Sequence, residues 1–202
     1  MLRGQGRASA ALAPLIRDVV APQLPGLAER LGANARILDV GVGVGALAIA
    51  LARIFPASRI VGIDVWPPSL AVARADVAEA SLTERIELRM QDVATLGEES
   101  AYDLIWFSGP FAPTAIQPRA LRACARALSR GGWIVYGAFG GGDERANRLA
   151  ELRTLRSGGP VLSSDEIARA LGAAGLDDAR AIHLDIGIPV RMVGARRGAE
   201  ER

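Results

Sequence analysis

The stretch from Arg36 to Asp64 decides the fold: RILDVGVGVGALAIALARIFPASRIVGID. Its pattern predicts a short buried strand, a glycine-rich turn, a helix from Ala46 to Ile54 and a second strand that ends at Asp64. Two strands joined through one helix in so short a stretch form a compact βαβ unit. The glycines let a ligand approach the backbone, and the helix behind them presents free N–H groups. This arrangement is typical of a nucleotide-binding site.

The kind of nucleotide depends on Asp39, because the turn Gly41-Val42-Gly43-Val44-Gly45-Ala46 also satisfies the dinucleotide pattern G-x-G-x-x-G/A. Asp39 lies in the predicted buried strand, where an unpaired carboxylate is costly. A pyrophosphate would repel this carboxylate, whereas an ammonium group would pair with it. S-adenosylmethionine carries both an ammonium and a sulfonium. At this turn the chain resembles the class I S-adenosylmethionine-dependent methyltransferases, whose first motif reads D-x-G-x-G-x-G. A tight turn without a ligand is the alternative.

Composition excludes several classes of chemistry. The 202 residues include no lysine, so all 24 basic residues are arginine, and there is one histidine and one cysteine. A Schiff base, a P-loop lysine and an intrachain disulfide are therefore impossible, and we expect no metal site. The formal net charge of +2 predicts no nucleic-acid partner. The apolar run from Val40 to Ala52 is too short to span a bilayer, so we expect no membrane partner and a cytoplasmic location.

Strand and helix signals alternate along the rest of the chain. The helix predicted over Pro118–Ser129 ends before Gly131-Gly132, and two late strands are predicted over Arg180–Ile186 and Val190–Ala195. This order predicts an α/β fold, with a Rossmann-like, doubly wound and mainly parallel sheet. The resemblance implies seven strands with a C-terminal antiparallel hairpin. We expect an N-terminal helical segment at residues 1–33 and an S-adenosylmethionine-binding domain at residues 34–202.

The resemblance also implies the residues that contact the methyl donor. Asp64 would accept hydrogen bonds from the ribose hydroxyls, Asp92 would receive the adenine amino group, and Val65 and Trp66 would flank the ring. Two alternatives stay open: Asp92 caps the next turn, and Trp66 belongs to the core or to a lid. The full expected set is Asp39, Gly41, Gly43, Gly45, Asp64, Val65, Trp66, Asp92, Val93 and Phe107.

The corner after the fourth predicted strand is where this family usually meets its substrate. Amide and DNA methyltransferases read N/D-P-P-Y/F there, whereas this chain reads Ser108-Gly109-Pro110-Phe111. That departure argues against planar-amide acceptors. Phe107, Phe111 and Phe139 near this corner favour an apolar or aromatic small molecule, with Ser108, Phe111 and Phe139 as the expected substrate contacts.

The sequence offers only weak candidates for a catalytic group. Asp143 and Glu144, just after Gly140-Gly141-Gly142, could swing over the site as a lid. His183 falls in a late strand, where a structural or solvent-exposed role is expected. Cys124 lies in an alanine-rich helix and is expected in the core.

These observations predict a bacterial methyltransferase that uses S-adenosylmethionine and acts on a small, apolar or aromatic acceptor, similar to enzymes of secondary metabolism. Two alternatives are an inactive S-adenosylmethionine-binding module and, less favoured, a nicotinamide-dependent oxidoreductase. The latter would lack the Tyr-x-x-x-Lys pair of short-chain dehydrogenases. We expect a monomer or a homodimer.

Overall fold

The computed structural model describes residues 8–140, 144–184 and 190–198. Its strands are β1 (Arg36–Val40), β2 (Arg59–Asp64), β3 (Ile86–Met90), β4 (Tyr102–Ser108), β5 (Leu128–Phe139), β6 (Asp177–Ala181) and β7 (Val190–Arg196). They form one sheet in the order β3-β2-β1-β4-β5-β7-β6. The first five strands are parallel, and β7 runs antiparallel between β5 and β6. The predicted α/β fold is therefore confirmed.

Helices cover both faces of this sheet. They are α1 (Leu12–Leu15), continued by a π-helical turn (Ile16–Val20) and α2 (Ala21–Gln23), then α3 (Leu27–Gly32), α4 (Ala46–Ile54), α5 (Pro67–Glu79), α6 (Gln117–Ala127), α7 (Glu144–Arg156) and α8 (Ser164–Ala173). The helix α4 has the bounds predicted from the sequence. Ser163 and Glu166 form the capping box that begins α8, as their spacing predicts. No helix in the described ranges is both long and apolar enough to cross a bilayer.

The core divides into two apolar clusters, one on each face of the sheet. Along β4, Leu104 and Trp106 belong to one cluster while Ile105 and Phe107 belong to the other, because successive strand residues point to opposite faces. The first cluster also contains the buried side chains of the N-terminal helices, including Leu24. The second contains the buried faces of α6 and α8. The N-terminal helices therefore share a core with α4 and α5.

The prediction that a helix runs to Ser129 was wrong, because α6 ends at Ala127 and β5 begins at Leu128. Leu128 is buried and pairs with Tyr102 of β4, which draws the chain into the sheet before the glycine pair. Gly131 then lies inside the strand with φ of 72°, and a Cβ on Gly132 would lie 2.9 Å from the Tyr102 carbonyl oxygen. These glycines permit an irregular strand rather than a helix stop.

The late strand predicted over Arg180–Ile186 begins and ends earlier than expected, at Asp177 and Ala181. Pairing with β7 sets these bounds, since Asp177 is opposite Arg196 and Ala181 is opposite Val193. The predicted turn between the last two strands falls within residues 185–189 and lies outside the described residues.

Candidate functional site

A cavity of about 630 Å³ lies at the carboxyl ends of the central strands. Strand β1 stands between β2 and β4 in the sheet. The connection from β1 to β2 and the connection from β3 to β4 therefore run in opposite directions, and a crevice opens at the carboxyl end of β1. The crevice brings together ten of the residues predicted to bind the cofactor or substrate: Asp39, Gly41, Gly43, Asp64, Val65, Trp66, Asp92, Val93, Ser108 and Phe111.

The turn after β1 depends on glycine at the positions where φ is positive. Gly41 and Gly43 have φ of 76° and 56° and line the cavity, and the Gly41 and Val42 N–H groups both donate to the Ile63 carbonyl. Gly45, predicted to contact the cofactor, does not line the cavity. It has φ of 79° at the start of α4, and a Cβ there would lie 3.2 Å from the Cβ of Ala73. Gly45 therefore allows α4 and α5 to pack closely.

Asp39 is the buried charge of the site. Its side chain is 2% exposed, and its Oδ2 atom has no hydrogen-bond partner within the described part of the chain. Burial, followed by repulsion from Asp64, raises the pKa of Asp39 to about 7. An unpaired buried carboxylate is stabilised by a cation or by N–H donors. A positively charged ligand group would therefore be stabilised beside the Asp39 carboxylate in the cavity.

Asp64 fixes the shape of the glycine turn. Its Oδ2 accepts a hydrogen bond of 2.9 Å from the Gly43 N–H, and its Oδ1 accepts one of 2.8 Å from the Trp66 N–H. An ionised carboxylate has about four acceptor positions, so two hydroxyl donors still find room on the same oxygens. The sequence suggested the hydroxyl contact and missed this bracing of the turn.

Asp92 has the capping role that was kept as an alternative, and it also lines the cavity. Its Oδ1 accepts a hydrogen bond of 2.8 Å from the Ala94 N–H and so begins the 3-10 turn Val93–Thr95. Val65 and Trp66 are 65% and 50% exposed at the rim. Trp66 is therefore not a buried core residue, and its side chain does not cover the cavity as a closed lid would.

Phe107, predicted to contact the cofactor, does not line the cavity. The alternation of β4 turns it to the opposite face, where it is fully buried and stacks on Tyr136 with ring centroids 5.3 Å apart. Its neighbours Trp106 and Ser108 line the cavity instead. The period of two along β4 predicts that Trp106 and Phe107 face opposite sides of the sheet, but it does not say which side meets the cavity.

The expected substrate contacts are only partly assembled at the cavity. Phe111 lines it and is 57% exposed, whereas Phe139 stands behind Phe111 in an edge-to-face contact with ring centroids 5.9 Å apart. Phe139 therefore supports the aromatic rim but is not one of the lining residues.

Of the two catalytic candidates, the structure describes only Glu144. Asp143 lies outside the described residues. Glu144 is exposed at the start of α7, pairs with Arg148 and is not among the lining residues, because it points along the helix surface. His183 is exposed beyond β6, where its backbone N–H and carbonyl both bond to the Gln23 side chain. Cys124 is buried in the core as predicted, and burial raises the pKa of its thiol to about 12.

Gln117 is a site residue that the sequence did not reveal. Its buried side-chain amide donates to the carbonyls of Gly109 (2.9 Å) and Ala112 (3.0 Å), and its Oε1 accepts from the Tyr136 hydroxyl (3.0 Å). A Cβ on Gly109 would lie 2.1 Å from the Tyr136 ring. These contacts hold the corner after β4 in one conformation. A polar residue one position before a helix-starting proline was the only signal in the sequence.

The N-terminal helical segment also contributes to the cavity through Ser9 and Leu12. Nothing in the local sequence predicted this, because the contact joins residues far apart along the chain. Pro113, Ile116 and Ala120 also line the cavity. The lining residues contributed by the N-terminal segment and by the chain from Trp106 to Ala120 are therefore mainly apolar, with Ser9 and Ser108 as the polar ones.

Comparison with known proteins agrees with this geometry. Residues 37–132 match the family model described as a methyltransferase domain. The S-adenosylmethionine-dependent methyltransferase SibL superposes over 93% of this chain and 56% of its own, with a TM-score of 0.70 and 25% identity. The matched segment is a methyltransferase domain, and the chain is similar to the class I S-adenosylmethionine-dependent methyltransferases. Members of this family use S-adenosylmethionine as the methyl donor.

Curated relatives of this methyltransferase domain carry different acceptors in their names. A ubiquinone biosynthesis O-methyltransferase of Paracidovorax citrulli is 36% identical over 103 residues, which are 50% of this chain and 42% of the relative. A tRNA1(Val) (adenine(37)-N6)-methyltransferase of Porphyromonas gingivalis is 34% identical over 95 residues, or 44% of this chain and 37% of the relative. The chain thus spans less than half the length of these relatives.

Proposed function

We propose that this methyltransferase domain transfers a methyl group from S-adenosylmethionine to a small, apolar or aromatic acceptor. The observation that carries the proposal is the buried, unpaired carboxylate oxygen of Asp39 in a cavity whose lining from Trp106 to Ala120 is mainly apolar. The carboxylate suits a cation, and the apolar lining suits an uncharged acceptor. The inactive binding module and the oxidoreductase are the alternatives that the experiments below separate.

The residues at the glycine turn fit the methyl donor. Asp39 would pair with the amino-acid ammonium, whose charge offsets the cost of burying the carboxylate. Asp64 would accept from the ribose hydroxyls with its remaining lone pairs, and Asp92 would receive the adenine amino group beside Val93. A dinucleotide would bring its pyrophosphate toward the Asp39 carboxylate, which would repel it, whereas Asp64 would suit the ribose of either nucleotide.

The acceptor would occupy the part of the cavity near the corner after β4. Trp106, Phe111 and Ile116 line this part, and Leu12 approaches from the N-terminal segment. Aromatic rings there offer stacking surfaces for a flat acceptor. The lack of an N/D-P-P-Y/F corner supports a small molecule over an exocyclic base nitrogen, although one relative is named for tRNA.

When bound, S-adenosylmethionine would supply an electrophilic methyl group to an acceptor lone pair by in-line displacement, with the electron pair of the carbon–sulfur bond left on sulfur. The chain must align the acceptor and exclude water, and the corner held by Gln117 provides that alignment. Trp106 and Phe111 would exclude water. If a carboxylate removes a hydroxyl proton, Asp143 is the proposed group, since Glu144 pairs with Arg148 outside the cavity lining.

Calorimetry tests the donor assignment. The wild-type chain should bind S-adenosylhomocysteine and should not bind NAD. Asp64→Ala should weaken that binding by about 1–3 kcal/mol, because charge-assisted hydrogen bonds are lost. Asp165→Ala is the matched control, since Asp165 is an exposed carboxylate on α8 outside the cavity lining. Binding of NAD without binding of the adenosyl compound would overturn the proposal.

Labelled methyl transfer tests the acceptor class. S-adenosylmethionine with an isotopic methyl group should label members of a panel of phenols and hydroquinones, and it should leave tRNA unlabelled. Labelling of tRNA alone would contradict a small acceptor. Donor binding with no labelling of the panel or of tRNA would favour the inactive binding module.

A further inference from the structure

Three leucines on α7 face away from the protein. Leu149, Leu152 and Leu155 are 50%, 59% and 63% exposed, and they recur every third residue. Ala150 and Thr154 are the buried positions of this helix. At about 100° per residue, the leucines fall on the side opposite these two. A solvated helix face normally carries polar residues here, so this stripe of leucines needs a partner.

Arginines share the outward face with the leucines. The helix carries four arginines against two glutamates: Arg145, Arg148, Arg153 and Arg156, with Glu144 and Glu151. Glu144 is paired with Arg148, which leaves the remaining arginines in excess. Arg145 lies close in angle to Leu152, and Arg156 lies close to Leu149. The face is therefore apolar and positively charged at the same time.

Helix α7 is held against the mouth of the cavity. It packs on the turn Gly109–Phe111 and on β5. The loop that follows it is equally close: the Thr114 N–H donates to the Gly158 carbonyl, and a Cβ on Gly159 would lie 2.4 Å from the Pro110 carbonyl oxygen. In that same loop Val161 is 44% exposed. The exposed apolar surface thus extends from the rim of the cavity along α7.

We propose that the outward face of α7, formed by Leu149, Leu152, Leu155, Arg145 and Arg156, docks on an anionic lipid membrane. Leucine side chains of an amphipathic helix enter the boundary between headgroups and acyl chains. The long arginine side chains beside them reach back to lipid phosphates, each strengthening binding about fivefold. This inference goes beyond the proposed function and revises the expectation of no membrane partner.

The charges of α7 favour a lipid surface over a second copy of the chain. Each copy of α7 carries four arginines against two glutamates, so pairing two copies through this helix would set one positively charged face against another. Like charges set against each other in an interface oppose association. An anionic surface matches the same arginines at every position along the face.

Vesicle sedimentation tests the docking surface without using the methyl donor. The wild-type chain should bind phosphatidylcholine vesicles that contain about a quarter phosphatidylglycerol, and it should bind pure phosphatidylcholine at least about tenfold more weakly. The variant L149Q/L152Q/L155Q should lose at least about tenfold in binding to the anionic vesicles. Glutamine keeps helix propensity, and these side chains are half exposed or more, so the variant should fold.

A charge variant with a matched control separates docking from general electrostatics. R145Q/R156Q should weaken binding to anionic vesicles by about twentyfold or more, from two arginines at about fivefold each. R74Q/R122Q removes two exposed arginines from α5 and α6 and should leave binding within about threefold. Binding of S-adenosylhomocysteine by the same variants shows, independently of vesicle binding, that the fold and the cavity are intact.

Three outcomes would overturn the proposal. The first is no binding of the wild-type chain to anionic vesicles at low salt. The second is binding that the leucine variant does not reduce. The third is a wild-type dimer in sedimentation equilibrium that the leucine variant converts to a monomer, because a second copy would then cover this face.

Discussion

Replacing Asp39 with asparagine should stabilise the unliganded chain above neutral pH. Burial raises the pKa of Asp39 from 3.8 to about 7. The folded state therefore binds this proton more tightly than the unfolded state does. The ionised carboxylate destabilises the fold as pH rises above about 4, and this cost reaches its full size above about 7. Asparagine has a similar shape and does not ionise, so the variant escapes the cost.

The size of the effect follows from the shift. A difference of about 3 pKa units corresponds to about 4 kcal/mol when Asp39 is fully ionised, near pH 8. Near pH 5 Asp39 is largely ionised only in the unfolded state, and the cost to the free energy of unfolding is then about 2 kcal/mol. The variant should thus be more stable by about 4 kcal/mol near pH 8 and by about half of that near pH 5.

The same substitution should harm binding of the methyl donor. The ammonium would lose its charged partner, so affinity for S-adenosylhomocysteine should fall by about 1–3 kcal/mol. In the wild-type chain this affinity should also decline as pH falls below about 7, because the carboxylate must give up its proton to pair with a cation. The asparagine variant should not show that decline.

Urea unfolding at the two pH values, with calorimetry of ligand binding, measures both effects. Asp165→Asn is the control, because Asp165 is exposed on α8. An Asp39 variant that is no more stable than wild type near pH 8 would refute the reasoning. So would a stability gain of the same size at both pH values, since the gain would then have a source other than ionisation.

Other predictions concern the corner after β4, the metal requirement and the histidine. Gln117→Leu should destabilise the fold by about 3 kcal/mol in urea unfolding, because it removes three hydrogen bonds of which two are buried, whereas Tyr136→Phe should cost only about 1 kcal/mol; equal costs would contradict the shared network. Labelled methyl transfer should survive EDTA, since the part of the chain that the structure describes contains no cluster of three potential metal ligands; loss of labelling with recovery on added Mg²⁺ would oppose this. His183→Ala should leave turnover within a few-fold, because His183 is exposed away from the cavity; a collapse with folding and donor binding intact would relocate the active site.

The first βαβ unit was determined by sequence alone. Its apolar runs, the spacing of Gly41 and Gly43 and the helix Ala46–Ile54 are local features, so their physical causes lie within the stretch itself. For the same reason the sequence alone predicts that Asp39 and Asp64 are carboxylates near the ends of strands. Parallel strands bring their carboxyl ends to one edge of the sheet, so the sequence alone predicts that Asp92 lies near them.

Tertiary structure decided which side chains reach the cavity. Phe107 and Trp106 are neighbours in the sequence, yet only Trp106 lines the cavity, since one face of β4 packs on α6 and the other turns toward the site. Gln117 gained its role from Tyr136 and Gly109, which lie in other elements. Leu12 reaches the wall from the N-terminal helices for the same reason. A strand pattern states that residues alternate, but the packing of distant elements determines which face becomes core and which faces a ligand.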